Sequence, residues 1–217
     1  HGIDRFARDV LGTTRFGEPV CVEDGPLRTT VRLDGVVGSS VLRLYAALHS
    51  GERVLRLRLA ANYQERFSVL KAEVPGPAAL ESRRDRVAGG WVGRRCDGRE
   101  YPLHHALLMG RDADALGFVL PDTFSVSVDP ERVGVTLIRN SVNALHNCRK
   151  LDLSEIPALD DRFGSDEGPQ EIRWAVAFAE SATEANLERV LDGYTRQPWT
   201  WDDFHGISRV ECSPRAE

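Results

Sequence analysis

The stretch Leu55-Arg56-Leu57-Arg58-Leu59, which runs on into Asn62-Tyr63-Gln64-Glu65-Arg66-Phe67-Ser68-Val69-Leu70-Lys71, decides the fold class. Its apolar and charged residues alternate with a period of two, so an extended backbone turns the leucines to one face of a sheet and the arginines to the other. The same alternation recurs at Thr29-Val31-Leu33, Leu42-Leu44, Phe124-Val126-Val128, Val133-Val135-Leu137 and Ile172-Trp174-Val176-Phe178. Between these runs stand Glu23-Asp24-Gly25-Pro26, Gly76-Pro77, Cys96-Asp97-Gly98 and Asp129-Pro130-Glu131, all of them turn formers able to reverse the chain between antiparallel strands. The pattern predicts an all-β protein built as a large antiparallel β-sandwich.

One short helix is expected near the C-terminus. Ser181-Ala182-Thr183-Glu184 has the form of a capping box, Leu187, Val190 and Leu191 make one apolar face, and Gly193 is placed to end it. Ile3 to Leu11, with Phe6 and Val10, carries a weaker amphipathic pattern. Residues 159–170, rich in acids, glycine and proline, read as an exposed loop before the Ile172 strand. The tail Gln197-Pro198-Trp199-Thr200-Trp201-Asp202-Asp203-Phe204-His205 gathers aromatics that either tuck against a sheet or form a platform for a sugar ring.

A chain of 217 residues can bury a sizeable core as one domain. Residues 20–217 are assigned to the sandwich; residues 1–19 are assigned to a lead-in or linker from an upstream domain, because the chain begins at His1. The hydrophobic fraction of 41% contains no apolar run of the length that spans a membrane. The formal net charge of −5 argues against nucleic acid as a partner, since phosphate binding needs a concentrated basic surface. Arginine supplies nearly all the positive charge, Lys71 and Lys150 being the only lysines, and it is spread along the chain rather than clustered as an anion site requires. Cys21, Cys96, Cys148 and Cys212 lie far apart with no Cys-x-x-Cys pair, which speaks against a zinc site and for free buried thiols in a reducing, cytoplasmic compartment, two long-range disulfides being the alternative.

The block from Asn62 to Lys71 resembles one in the C-terminal β domain of family 38 glycoside hydrolases, the α-mannosidases: Glu65, Arg66, Leu70 and Lys71 keep the pattern, while Asn62 and Tyr63 depart from it. Val22-Glu23-Asp24-Gly25-Pro26-Leu27-Arg28-Thr29-Thr30-Val31 is similar to a strand entry of that domain. Tyr101-Pro102-Leu103-His104-His105, Val135-Thr136-Leu137-Ile138-Arg139, the segment from Asp166 to Trp174 and Tyr194-Thr195-Arg196-Gln197-Pro198-Trp199 follow in matching order. Gln170 replaces a histidine and Ala179-Glu180 stand where Pro-His is usual. The resemblance covers roughly residues 20–199. It implies a non-catalytic domain of galactose mutarotase-like supersandwich architecture, a mannoside-like carbohydrate partner, and an upstream catalytic domain holding both the nucleophile and the zinc, so that this chain needs no cofactor.

The residues themselves offer little catalytic equipment. His104 and His105 are adjacent and in a strand would face opposite sides, so they would not share a metal ion. Asp160-Asp161, Asp166-Glu167 and Asp202-Asp203 are neighbours on loops, where acids are usually solvated, whereas glycoside hydrolysis sets two carboxyl groups about 5 to 9 Å apart across a sugar bond. Ser39-Ser40 and Ser125 have no nucleophile-elbow setting. No catalytic and no metal residue is therefore assigned. Three residues remain as candidates for carbohydrate contact: Arg139, carried over from the resemblance as the end of a core strand near a groove; Glu65, which with Arg66 is expected to be anchored by separate neighbours or else to line a cleft; and His146, in the polar turn Asn143-Ala144-Leu145-His146-Asn147. The expected function is that of a scaffold and groove wall within a glycosidase, not catalytic by itself. The alternatives are a free-standing mutarotase-like epimerase, which would need a histidine and a carboxylate converging in a polar cleft, and a plain domain-docking module.

Overall fold

A computed structural model describes residues 10–66, 68–76, 82–140 and 166–196. They form fourteen strands: β1 (Arg15–Phe16), β2 (Val20–Asp24), β3 (Arg28–Val37), β4 (Ser40–His49), β5 (Val54–Tyr63), β6 (Ser68–Pro75), β7 (Arg83–Val87), β8 (Gly90–Gly93), β9 (Glu100–Pro102), β10 (Ala106–Met109), β11 (Leu116–Val119), β12 (Ser125–Val128), β13 (Arg132–Asn140) and β14 (Gly168–Phe178). One helix, α1 (Glu184–Thr195), follows. Ten strands make one sheet in the order β1-β3-β4-β5-β14-β11-β10-β7-β8, with β2 also on β3; four make a second in the order β6-β13-β12-β9. The pairs are antiparallel, so the protein is an all-β sandwich, with one α-helix among the described residues.

Alternation builds the core. Leu57, Leu59, Ala61 and Tyr63 of β5 meet Leu42 and Leu44 of β4 and Ile172, Trp174 and Val176 of β14 on one face, and Val126, Val128, Val133 and Val135 of the small sheet close over them. On the opposite face of the large sheet, Leu187, Val190 and Leu191 of α1 pack on Ala175, Ala177 and Val119. The helix comes this close because β11 presents Gly117: a Cβ there would lie 2.6 Å from a Leu187 methyl. Fully burying a leucine of this kind contributes roughly 2 to 3 kcal/mol.

Several expectations are corrected. Thr183, not Ser181, caps α1, its hydroxyl accepting from the Asn186 backbone at 3.2 Å, and the helix runs past Gly193 to Thr195. Gly168 to Gln170 already belong to β14, because they pair with Tyr63, Asn62 and Ala61 of β5, so the acidic loop cannot extend to Gln170. Cys21 is an exposed thiol and Cys96 a half-buried one, not both buried. Arg15 and Phe16 pair with β3 and so extend the sheet. The Val133-Val135-Leu137 alternation breaks: the register of β13 against β6 shifts between Thr136 and Ile138. That bulge brings Ile138 onto the core face and turns Arg139 to the outside. No helix among the described residues is long and apolar enough to cross a membrane.

Candidate functional site

The chain changes sheets at one corner of the sandwich. β5 ends at Tyr63 in the large sheet and β6 begins at Ser68 in the small one; β13 ends at Asn140 beside Ser68, and β14 begins at Gly168 beside Tyr63. Glu65 sits in the first crossing. It is not in a strand, and its carboxylate Oε1 accepts the Ser39 amide at 2.6 Å and the Ser40 hydroxyl at 3.0 Å, clasping the β3–β4 turn. Gly38 makes this turn at φ +55°, and a Cβ there would stand 2.5 Å from the carboxylate oxygens. Arg66, the next residue, reaches the other way to Glu167 at 3.2 Å. The two consecutive charges thus serve different neighbours.

The rest of the corner is a chain of hydrogen bonds. Ser40 Oγ accepts from the Gln64 amide at 2.8 Å, Ser68 Oγ donates to the Glu65 carbonyl at 2.8 Å, and Tyr63 OH meets Ser68 Oγ at 2.6 Å. Burial pushes the Tyr63 phenol above its ordinary pKa, the Ser68 hydrogen bond opposing it. Asn140, buried, donates to the same Glu65 carbonyl at 3.1 Å, and its Oδ1 has no hydrogen-bond partner among the described residues. Arg139 stands next to it, exposed, opposite Val69. The fold therefore brings Glu65 and Arg139 to the same corner, Glu65 as a clasp and Arg139 at the surface. His146 lies outside the described residues, as do His205 and the Trp199–Phe204 aromatics.

Among the described residues the histidines assemble no acid–base pair in a cleft. His104 and His105 are not in a strand: His105 adopts φ +69°, and their rings come within 4.2 Å of one another, so they do not point to opposite faces. His104 Nδ1 lies 2.7 Å from Arg86, which also binds Glu188 of α1, and His105 Nδ1 lies 3.1 Å from the Leu120 carbonyl. Burial, then the charges of His105 and Arg86, hold the His104 pKa below its usual value. His49 approaches Glu52 at 4.0 Å, but in the β4–β5 hairpin turn. Among the described residues no group of three or more His, Cys, Asp or Glu side chains gathers as a metal site would require, so these donors do not fit a zinc ion.

Beside the corner, the outer face of the large sheet holds a shallow depression of about 520 Å³, lined by Val41, Arg43, Tyr45, Ala60, Asn62, Pro169 and Glu171 among others. Sequence reading missed it, because its residues come from three strands and are assembled only by register. Asn62 was singled out as a departure from a pattern; nothing marked Arg43, Tyr45 or Glu171.

No family model matches the sequence, and no curated protein matches it. The fold does have counterparts among solved structures. An α-mannosidase from Enterococcus faecalis superposes with a TM-score of 0.64 at 10% identity, over 84% of this chain and 24% of the enzyme. A protein of glycosyl hydrolase family 38 from the same organism superposes with a TM-score of 0.61 at 9% identity, over 86% of this chain and 25% of its own. The chain thus spans about a quarter of the length of these proteins. At such identities the likeness is one of fold.

Proposed function

We propose that this chain is the non-catalytic C-terminal β domain of an α-mannosidase-like glycoside hydrolase, a scaffold that also forms one wall of a carbohydrate groove. The observation that carries the reading is the extent of the fold likeness: 84% of this chain corresponds to only 24% of an α-mannosidase, and the greater part of that enzyme has no counterpart here. The corner is a rigid support: Glu65, Ser40, Ser68 and Asn140 spend their hydrogen bonds on backbone and on one another.

In this reading Glu65 positions the β3–β4 turn and Arg139, on the outer side of the β13 bulge, offers a guanidinium to sugar hydroxyls. Any zinc would belong to sequence outside this chain. Titration of the ¹⁵N-labelled chain with methyl α-mannopyranoside tests the wall. Amides of Ser39, Gln64, Arg66 and Arg139 shift saturably, and Arg139→Ala removes those shifts without lowering the melting temperature. Corner amides that stay still, or shifts unchanged in Arg139→Ala, contradict it.

A further inference from the structure

We propose that the depression on the outer face of the large sheet is a separate binding site for one pyranose ring of a neutral sugar. Register builds it. Three cross-strand rows run over β4, β5 and β14: Val41, Asn62 and Pro169; Arg43, Ala60 and Glu171; Tyr45, Arg58 and Arg173. The middle row has its small residue at the centre, so Ala60 forms a floor between two long charged side chains. Two interstrand steps set the Arg43 and Glu171 backbones about 10 Å apart, the width of a sugar ring with its hydroxyl groups.

The walls are fixed from outside the depression. Asp34 holds Arg43 at 2.7 Å on the far side of β4. Arg58 lies over the Tyr45 ring at 4.1 Å and donates to Glu171 Oε2 at 3.1 Å, closing one end. Val41, 58% exposed, and Pro169 make the other end apolar. Asn62 accepts from Gln64 through its Oδ1 at 2.8 Å, which directs its amide nitrogen to serve as a donor.

These groups select the ligand class. Asp34, Glu171 and Asp122 pair with Arg43, Arg58 and Arg173, so these guanidiniums offer a phosphate or carboxylate little uncompensated charge. An apolar molecule would cover a guanidinium and a carboxylate without giving either a hydrogen bond. A polyhydroxylated ring satisfies both: its hydroxyls donate to Glu171 and accept from Arg43 and Asn62, and its C–H face lies on Ala60, Val41 and Pro169. So open a depression binds weakly, with a Kd on the order of millimolar.

The site stands apart from the Arg139 corner, and one titration reads both. The ¹⁵N-labelled chain is titrated with methyl α-mannopyranoside and, separately, methyl β-galactopyranoside. The amides of Arg43, Tyr45, Ala60, Asn62 and Glu171 are expected to shift saturably with at least one glycoside. Ala60→Leu, which fills the floor from an exposed face, abolishes these shifts while the melting temperature holds; Asn62→Ala, which removes a donor without adding bulk, weakens binding at least severalfold and serves if the first variant folds poorly. Depression shifts that persist in Arg139→Ala support this site whatever the corner does. Shifts confined to the corner overturn it and leave the proposed wall standing; no saturable shift at the depression with either glycoside, or equal shifts in Ala60→Leu, also overturns it.

Discussion

Arg83 and Asp85 face each other between the sheets through two hydrogen bonds of 2.8 Å, both side chains at 0% exposure, whereas Arg66 and Glu167 meet at 3.2 Å with side chains 44% and 30% exposed. The first pair sits on β7, and Arg83 also donates to the Arg95 carbonyl and lies over the Tyr101 ring from the small sheet. The second joins the sheet-crossing corner to the start of β14. Identical chemistry has different consequences because the solvent differs. A buried pair has given up hydration and each charge depends on the other, while an exposed pair exchanges readily with water. One end of the large sheet is thus pinned by charge; the corner is held by a clasp of neutral and backbone partners around Glu65, with its arginines at the surface.

The sharpest way to break this contrast is Asp85→Ala. It strands the Arg83 guanidinium and is expected to destabilise the protein by about 3 to 5 kcal/mol in urea unfolding. Glu167→Ala, the matching change at the exposed pair, should cost less than about 1 kcal/mol. Equal losses would show that burial does not set the difference.

The corner has its own sensitive point in Gly38. Ala at this position must adopt φ +55° and press a methyl against the Glu65 carboxylate, so a loss of about 2 kcal/mol is expected. Glu65→Ala in the Gly38→Ala background tests the clasp: if the clash is with the carboxylate, removing that group relieves it and the two losses do not add. Full additivity in the double variant would separate the turn from Glu65.

Acid titration sharpens the comparison through Asp122 and Asp85, whose pKa values move in opposite directions. Burial opposes ionisation of Asp122, yet hydrogen bonds from the Arg173 side chain and backbone win and hold its carboxyl below the usual range. Its contribution, about 1 kcal/mol after screening of the partly exposed Arg173, is present above the unfolded pKa near 4 and lost as pH falls through the lower folded value. For Asp85, burial raises the pKa in spite of Arg83, so its contribution is fullest below the unfolded pKa and is lost as pH rises through the folded value. Stability of Asp122→Asn should therefore fall less steeply than that of the parent below pH 4, while Asp85→Asn should lose less than the parent as pH rises above 4 through the raised folded pKa of Asp85. The reverse in either variant would contradict the assigned partners.

The smallest effect is expected at Arg139. Exposed on the outer side of the bulge, it should change stability by no more than about 0.5 kcal/mol on replacement by Ala. A loss of several kcal/mol would place it among the buried pairs instead.

Long alternating strands were legible in the sequence because both faces of β5 and β14 differ in character over ten or so residues. Short strands were not. Ala106–Met109 is apolar throughout and Arg83–Val87 mostly charged, so neither shows a period, and the buried charges of the latter are explained by their pairing with one another and by neighbours from other segments. The bulge at Leu137 escaped for a related reason: the alternation continues in the letters and fails only against the partner strand. The helix was readable from its apolar face, but two hydroxyl residues compete for its cap and only backbone geometry selects Thr183. At the corner, Glu65 and Arg66 could be seen to need separate partners. That Glu65 would grip a turn some 26 residues earlier depends on the strand order, which no single segment contains.

The proposal that this β fold supports sugar chemistry without performing it is tested most directly by aryl α-mannoside hydrolysis by the purified chain with zinc supplied. The account predicts release of the aryl group no faster than in buffer, with no equivalent of zinc retained after dialysis. Turnover that tracks the protein through successive purification steps, or one bound zinc per chain, would contradict it.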